Sequence, residues 1–295
     1  MTVPFAVAVC TRNRPEYLAR ALDALAAQQV RFPVHVVDQS ANEDPALSRR
    51  VEEWSELSVQ RDDGHGISRS RNLAWRTLDA EWIAFMDDDC YAQPGWAQAL
   101  TQAFEHHPEV SLVSGPVIEH EMPQDDDYPS LTVQAVSETR VLGGPGLKPW
   151  AIGFGVSAVR RSTIEQLGGW DERLGAGSER YPGAEDMDFN YRFLRAGKLA
   201  YLTPDARVLH DQWRTPKDLP TVYESYALGW SAFALKQLCS GDIACGVRLW
   251  AWGVYDLWRM SGSAVRRRSP IRARIAGRKL VGLTKGTWRG LREPW

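Results

Sequence analysis

Long apolar runs, paired cysteines and the common phosphate-binding loops are all missing from this sequence. No stretch approaches the roughly 18 uninterrupted apolar residues of a membrane span, so no segment is expected to cross a bilayer. The four cysteines, Cys10, Cys90, Cys239 and Cys245, form no CxxC pair, which excludes a disulfide scaffold and fits a reducing compartment. The apolar run from Val3 to Cys10 follows no basic stretch and meets Arg12 and Arg14 too soon for a signal peptide, so a cytoplasmic location is the expectation. Neither a GxxxxGK[ST] loop nor a GxGxxG fingerprint occurs, and no internal repeat is found. What remains is a 295-residue chain, 44% hydrophobic and 24% charged, which is globular composition. A chain of this length needs no disulfide or metal staple to hold a core.

The net charge of −2 averages two unlike parts. From Arg259 onward eleven Arg or Lys residues face one acid, Glu293, leaving 24 basic against 36 acidic residues in the rest. Just before this basic stretch lie Trp250, Trp252 and Trp258 among Leu249, Val254, Tyr255 and Leu257. Tryptophans followed by arginine-rich turns suit an anionic membrane surface better than nucleic acid. Packing against the acidic body is the other reading.

The first half alternates strand and helix signals. Apolar runs at 5–10, 34–37, 82–86 and 110–113, with a weaker one ending at Val59, read as strands. Between them, helices are expected from Pro15 (with Leu18, Ala21, Leu22 and Leu25 on one face), over 67–78, and from Pro94. The pattern predicts an α/β fold with a mostly parallel sheet flanked by helices. Ligands bind such sheets beyond the carboxyl ends of the strands, where this chain puts Thr11, Asp38, Asp62, Asp63 and Asp87–Asp89. Residues 119–150 read as irregular, and the chain after Gln212 as helical, aromatic and then basic.

Three constellations carry chemistry. Asp87, Asp88 and Asp89 end a buried strand, where three carboxylates repel one another unless something positive joins them. A divalent cation with oxygen ligands relieves that repulsion, and on an extended chain Asp87 and Asp89 point the same way. A second triplet, Asp125–Asp127, follows no strand and lies between Pro123 and Pro129, so it reads as a loop. Glu185, Asp186 and Asp188 open a helix after the Gly-rich stretch 175–183, either as favourable charges at a helix N-terminus or beside a lid that covers a reacting group. His210 ends a strand-like run.

In order along the chain, Val-Ala-Val-Cys-Thr-Arg-Asn-Arg-Pro at 7–15, Val-Val-Asp at 36–38, Ser70-Arg71-Asn72, the Asp-x-Asp at 87–89, Gly-Gly-Trp-Asp-Glu at 168–172, Glu-Asp-Met-Asp at 185–188 and His210 resemble the family 2 glycosyltransferases with a GT-A fold. The resemblance covers about four-fifths of the chain. It implies a nucleotide-sugar-binding half at 1–118, an acceptor-binding and catalytic half at 119–212, and a helical C-terminal extension at 213–295. It places Thr11, Arg12, Arg14, Asp38, Arg71, Asp87 and Asp88 around the nucleotide, with Asp38 accepting from the base. Asp89 and His210 become ligands of Mn²⁺ or Mg²⁺. Asp186 becomes the catalytic base, with Glu185 or Asp188 on the acceptor hydroxyls, while Asn72 braces the backbone. Two departures stand out. The turn Asp38-Gln39-Ser40 lacks the usual glycine, and Trp170 replaces the usual Phe, as either a sugar-stacking or a core aromatic.

The implied activity is metal-dependent, inverting hexosyl transfer from a nucleoside-diphosphate-sugar, UDP or TDP favoured, to a hydroxyl of a glycan or lipid-linked glycan. The segment Tyr223–Trp230, with Lys236 after it, resembles stretches of polysaccharide-building members; together with the basic, Trp-rich C-terminus it suggests a membrane-borne acceptor and a cytoplasmic protein peripheral at the inner membrane face. A nucleotidyltransferase that makes a nucleotide-sugar, or a non-catalytic nucleotide-sugar-binding module, are the alternatives. The first leaves the late Glu185–Asp188 block without a purpose, and the second leaves the carboxylates of both sites unexplained.

Overall fold

The computed structural model of the chain describes residues 3–120, 134–144, 146–153, 156–292 and 295. The second aspartate triplet, Asp125–Asp127, lies outside the described residues. The described chain falls into two compact units. One gathers the residues up to 120, those from 134 to 170, and 189 to 212; the other gathers 171 to 188 and those from 213 onward. The boundary at 212/213 is where the sequence turns helical. A strand, Val117–His120, continues across residue 118, and residues 171–188 group with the C-terminal helices.

The first unit runs β1 (Phe5–Thr11), α1 (Pro15–Ala26), β2 (Val34–Asp38), α2 (Pro45–Glu53), β3 (Leu57–Arg61), α3 (Ile67–Thr77), β4 (Trp82–Asp87), β5 (Cys90–Ala92), α4 (Trp96–His106), β6 (Leu112–Ser114), β7 (Val117–His120), β8 (Arg140–Gly143), β9 (Ser157–Arg160) and α5 (Arg161–Leu167). Helix α6 (Glu185–Arg195) starts in the second unit and ends in the first, followed by β10 (Leu199–Leu202) and β11 (Val208–Asp211). The central sheet has the order β3-β2-β1-β4-β9-β6-β10-β8. Strands β3, β2, β1 and β4 are mutually parallel, β9 runs antiparallel to both β4 and β6, and β8 is an antiparallel edge. The expected mostly parallel sheet flanked by helices is present. Strand β8 and the end of β7 fall in the stretch expected to be irregular, and α2 is a helix that the sequence pattern did not predict.

Strands β1 and β4 are apolar without alternation because both sheet faces are covered there. Phe5, Val7 and Val9 of β1 and Trp82, Ala84 and Met86 of β4 enter one hydrophobic cluster, and Ala6, Ala8, Ile83 and Phe85 enter the other. Trp82 stacks on Phe104 of α4 with ring centroids 4.1 Å apart. Helix α1 begins at Pro15 and buries Leu18, Ala21, Leu22 and Leu25, the face its spacing predicts. A second, smaller sheet sets β11 between β5, antiparallel, and β7, parallel, with His210 opposite Cys90 and Glu119.

The second unit is built on three long helices, α7 (Leu219–Cys239), α8 (Ile243–Arg267) and α9 (Pro270–Gly290). The basic stretch after Arg259 is therefore the end of α8 and all of α9. Helix α9 carries Gly282, Gly286 and Gly290 at four-residue spacing, one line along its surface. A Cβ added at Gly282 would sit 2.3 Å from the Glu224 carbonyl oxygen, and one at Gly286 would sit 2.4 Å from that of Leu228. The two backbones approach so closely that only glycine fits. Replacing Gly286 with Val is expected to cost about 1–3 kcal/mol through overpacking, measured by denaturant unfolding. An exposed-site control, Gly277→Ala, should be neutral or slightly stabilising, because nothing lies within 4 Å of its added Cβ.

Candidate active site

The ends of β1 and β4 bring Thr11, Arg14 and the aspartate triplet together. Strand β4 ends at Asp87, and Asp88 and Asp89 form the turn into β5. The same-side geometry expected of Asp87 and Asp89 on an extended chain is therefore not the geometry found. Asp87 is half-buried with Arg71 at 3.4 Å, whereas Asp89 is buried and accepts a hydrogen bond from Arg14 at 2.7 Å. Asp88 is wholly buried, accepting from the Thr11 hydroxyl at 2.7 Å and pairing with Arg14. The repulsion anticipated from the sequence is thus partly met by one guanidinium. Burial pushes the Asp88 carboxyl up, Arg14 opposes this, and Asp89 adds to it, leaving it at about 7. With no surface of its own, Asp88 sits as a strut between two strands.

Arg71 is buried beneath Asp87, its guanidinium 5.8 Å from the Trp170 ring centre. Arg12, by contrast, is exposed and makes no hydrogen bond or ion pair with the described residues. Asp38 ends β2 with both carboxylate oxygens engaged, one by Arg61 at 2.6 Å and the other by the Ser40 amide at 2.8 Å. The turn that lacks the usual glycine is held by its own residue. Gln39 donates to Asp62 at 2.8 Å and accepts from the Gly66 amide at 3.1 Å. Asp62 also receives a bidentate fork from Arg69, whose hydrogen bonds hold its carboxyl down at about 2. Arg61 and Arg69 escaped the sequence reading, as did their pairing with Asp38, Gln39 and Asp62, since nothing in the spacing joins them.

His210 reaches the same region from β11. Its Nε2 lies 3.7 Å from an Asp89 oxygen, beyond hydrogen-bond length, and its Nδ1 finds no partner among the described residues. A buried imidazole with neither nitrogen bonded is costly unless a ligand completes it. Ligand atoms of Asp89, Cys90 and His210 all lie within 4.8 Å of one another. The Cys90 thiol is pushed far up by burial and then by Asp89, which leaves the carboxylate and the imidazole as the natural donors. Beside them Asp211 is buried and held by Tyr91 at 2.8 Å, His120 at 2.7 Å and Arg20 at 2.6 Å. This brace was also not read from the sequence.

Asn72 braces the backbone as expected. Its amide donates to the Trp170 carbonyl and its oxygen accepts from the Trp170 amide, both at 2.9 Å. A Cβ on Gly169 would lie 2.3 Å from that oxygen, and φ there is +74°, so glycine is required on both counts. Trp170 is a core residue: its ring stacks on Phe189 at 4.4 Å and meets Phe85 edge-on at 4.7 Å. The acceptor-stacking reading of Trp170 is corrected accordingly.

In the second unit, Glu185, Asp186 and Asp188 occupy the first turn of α6, where the helix dipole favours negative charge. Asp188 has no exposed surface and bonds Lys236 of α7 at 2.6 Å. With its surface fully covered, Asp188 faces Lys236 rather than solvent. Lys236 also holds Asp171 at 2.7 Å. Burial raises the Asp171 carboxyl, but hydrogen bonds from Arg173 and Lys236 outweigh it and hold the group below the usual carboxylate range. Glu185 and Asp186 remain half-buried. In the glycine-rich stretch before them, Tyr181 is fully buried, and the Gly175 amide donates to its carbonyl at 2.9 Å.

The glycosyl transferase family 2 model matches residues 6–168, more than half of the chain. The chain belongs to that family and is a glycosyltransferase. It is 22% identical over 236 residues to the glucosyl-dolichyl phosphate glucuronosyltransferase of Haloferax volcanii, covering 76% of this chain and 75% of that one. It is 28% identical over 152 residues to the pre-mycofactocin glycosyltransferase of Mycobacterium tuberculosis, covering 50% of this chain and 30% of the relative. Its fold resembles that of the mannosyltransferase PcManGT from Pyrobaculum calidifontis, solved with GDP-Man and Mn²⁺, at a TM-score of 0.62 and 17% identity over 98% of this chain and 88% of that one.

Replacing Lys236 with Met removes the lysine from the buried carboxylate of Asp188 and leaves the half-buried Asp171 to Arg173. The variant is expected to lose about 3–5 kcal/mol of stability, read as a lowered denaturation midpoint.

Proposed function

We propose that the chain is an inverting hexosyltransferase that moves a sugar from a UDP- or TDP-sugar to a hydroxyl of a glycan or lipid-linked glycan. The observation that carries this is the donor set at the ends of β4 and β11. Asp89 and His210 converge within reach of one ion, and the buried His210 Nδ1 has no hydrogen-bond partner among the described residues. The carboxylate suits Mg²⁺ and Mn²⁺ alike, and the imidazole tips the preference toward Mn²⁺. When bound there, such an ion neutralises charge on the departing nucleoside diphosphate.

The chain's own residues do the rest. Arg12, exposed at the end of β1, meets the donor's phosphates, and Arg14 holds the triplet turn in shape. Asp87 takes the ribose side and Arg71 keeps its carboxylate oriented. Asp38 accepts the base imide N–H through a remaining lone pair, its position fixed by Arg61 and Ser40. Thr11 contributes through Asp88 rather than by direct contact. Asp186 takes the proton from the acceptor hydroxyl as that oxygen attacks the anomeric carbon and the C–O bond to the diphosphate breaks. General-base assistance of this kind is worth roughly 10²–10⁴-fold. Glu185 bonds the acceptor's other hydroxyls. The glucosyl-dolichyl phosphate named for the Haloferax relative supports a lipid-linked acceptor.

Two measurements test this reading. Calorimetric titration of UDP, TDP and GDP, each with and without Mn²⁺, should show metal-dependent binding of UDP or TDP that Asp89→Ala abolishes. Metal-independent binding, or none, removes the donor-site assignment. Separately, Asp186→Asn should abolish sugar transfer while nucleotide affinity stays within about twofold, as for a group that acts only on the acceptor proton. Loss of nucleotide binding in the folded variant would place Asp186 elsewhere in the scheme.

A further inference from the structure

Helix α8 has an outward face unlike an ordinary solvated helix. Ile243, Val247, Val254, Trp258 and Val265 are all exposed, Trp258 by 68% and Val265 by 79%. Their spacing of four, seven, four and seven residues places them on one line along the helix. From Ile243 to Val265 that line is about 33 Å long. A different side of the helix, about a third of a turn away, carries Gly246, Leu249, Gly253, Met260 and Ala264, which are buried. The exposed stripe is therefore a second apolar face, separate from the one the fold uses.

Arg248, Arg259 and Arg266 each follow a stripe residue by one position, so a basic line runs alongside the apolar one. Helices α8 and α9 together hold ten Arg or Lys residues and one acid, Asp256. That acid is spent on Lys279 and Arg259. The outward face thus has cations along one flank and no unengaged carboxylate on either helix. The indole of Trp250, half out of the surface, donates to Thr287 of α9 at 3.1 Å. The neighbouring Trp288 of α9 is exposed too, with Arg292 stacked on its ring at 3.7 Å.

We infer that this face of α8 docks the protein on an anionic lipid bilayer, lying in the plane of the interface. The chemistry matches on both counts. Aliphatic side chains and indoles enter the boundary between headgroups and acyl chains, while arginines beside them reach the phosphates. No described helix is long and apolar enough to cross a membrane, so the helix lies on the surface rather than through it. A second copy of the chain fits less well. Apposing two such faces brings the arginine lines together with no carboxylate to meet them. The inference extends the proposal of a lipid-linked acceptor, but its test does not use sugar transfer, so either can fail alone.

The test is sedimentation of the full chain with phosphatidylcholine vesicles, with and without phosphatidylglycerol. The wild-type chain is expected to pellet with the phosphatidylglycerol vesicles and to be released by salt. The Trp258→Ser, Val265→Ser double variant and the Arg248→Gln, Arg266→Gln double variant should each partition about tenfold less, one through lost apolar burial and the other through lost charge. All four positions are exposed, so an unchanged circular dichroism spectrum and unfolding midpoint will show that the fold is intact. Failure of the wild-type chain to bind, or variants that bind as it does, overturns the inference. A self-association seen by ultracentrifugation and lost in the Trp258→Ser, Val265→Ser variant, without vesicle binding, assigns the face to a second copy instead.

Discussion

The guanidinium of Arg14 is the group around which the site is organised. It lies between Asp88 and Asp89, with the Thr11 hydroxyl completing Asp88 from the other side. Without it, a turn of three consecutive aspartates at the end of a buried strand would separate or take up protons. With it, the middle carboxylate becomes an internal strut and the last one is aimed at His210. Burial alone would weaken the charge on Arg14, but Asp89 and Asp88 more than offset this and hold it protonated. The pairing of β1 with β4 and the shape of the acidic turn are thus one arrangement seen from two sides.

The second unit solves a similar problem with a different cation. Lys236 of α7 is shared between Asp171 and Asp188, fixing the first turn of α6 from which Glu185 and Asp186 project. In both units, carboxylates beside the candidate reacting groups are buried and consumed so that a neighbour keeps a defined direction. A motif of several acids is then a division of labour, in which some members hold the scaffold and others face the ligand.

That division explains what the sequence could and could not tell. The strands of the sheet were legible because apolar runs buried on both faces read as unbroken, and α1 was legible because Leu18, Ala21, Leu22 and Leu25 repeat at helical spacing. The clustering of Thr11 and the triplet at strand ends followed from the topology. The direction of each aspartate did not, because it depends on where β4 stops: a turn beginning at Asp88 cancels the two-residue alternation. Trp170 could be placed only by the ring of Phe189 stacked upon it, and Asp188 only by a lysine 48 positions away. The helical packing of the basic segment did leave a trace, in the four-residue spacing of Gly282, Gly286 and Gly290, which the charge of that stretch obscured.

The groups that meet at the triplet come from well-separated parts of the chain. Arg14 and Asp89 are 75 residues apart in sequence, and His210 arrives only with β11, which must insert between β5 and β7. During synthesis, the emerging N-terminal segment can pair β1, β2 and β4 and bury its apolar faces long before that strand exists. The nascent chain therefore carries an acidic turn already restrained by its arginine yet lacking the imidazole. The candidate donor set of Asp89 and His210 is assembled only when the last strand is threaded, so its geometry is complete only once the sheet-bearing unit has finished folding.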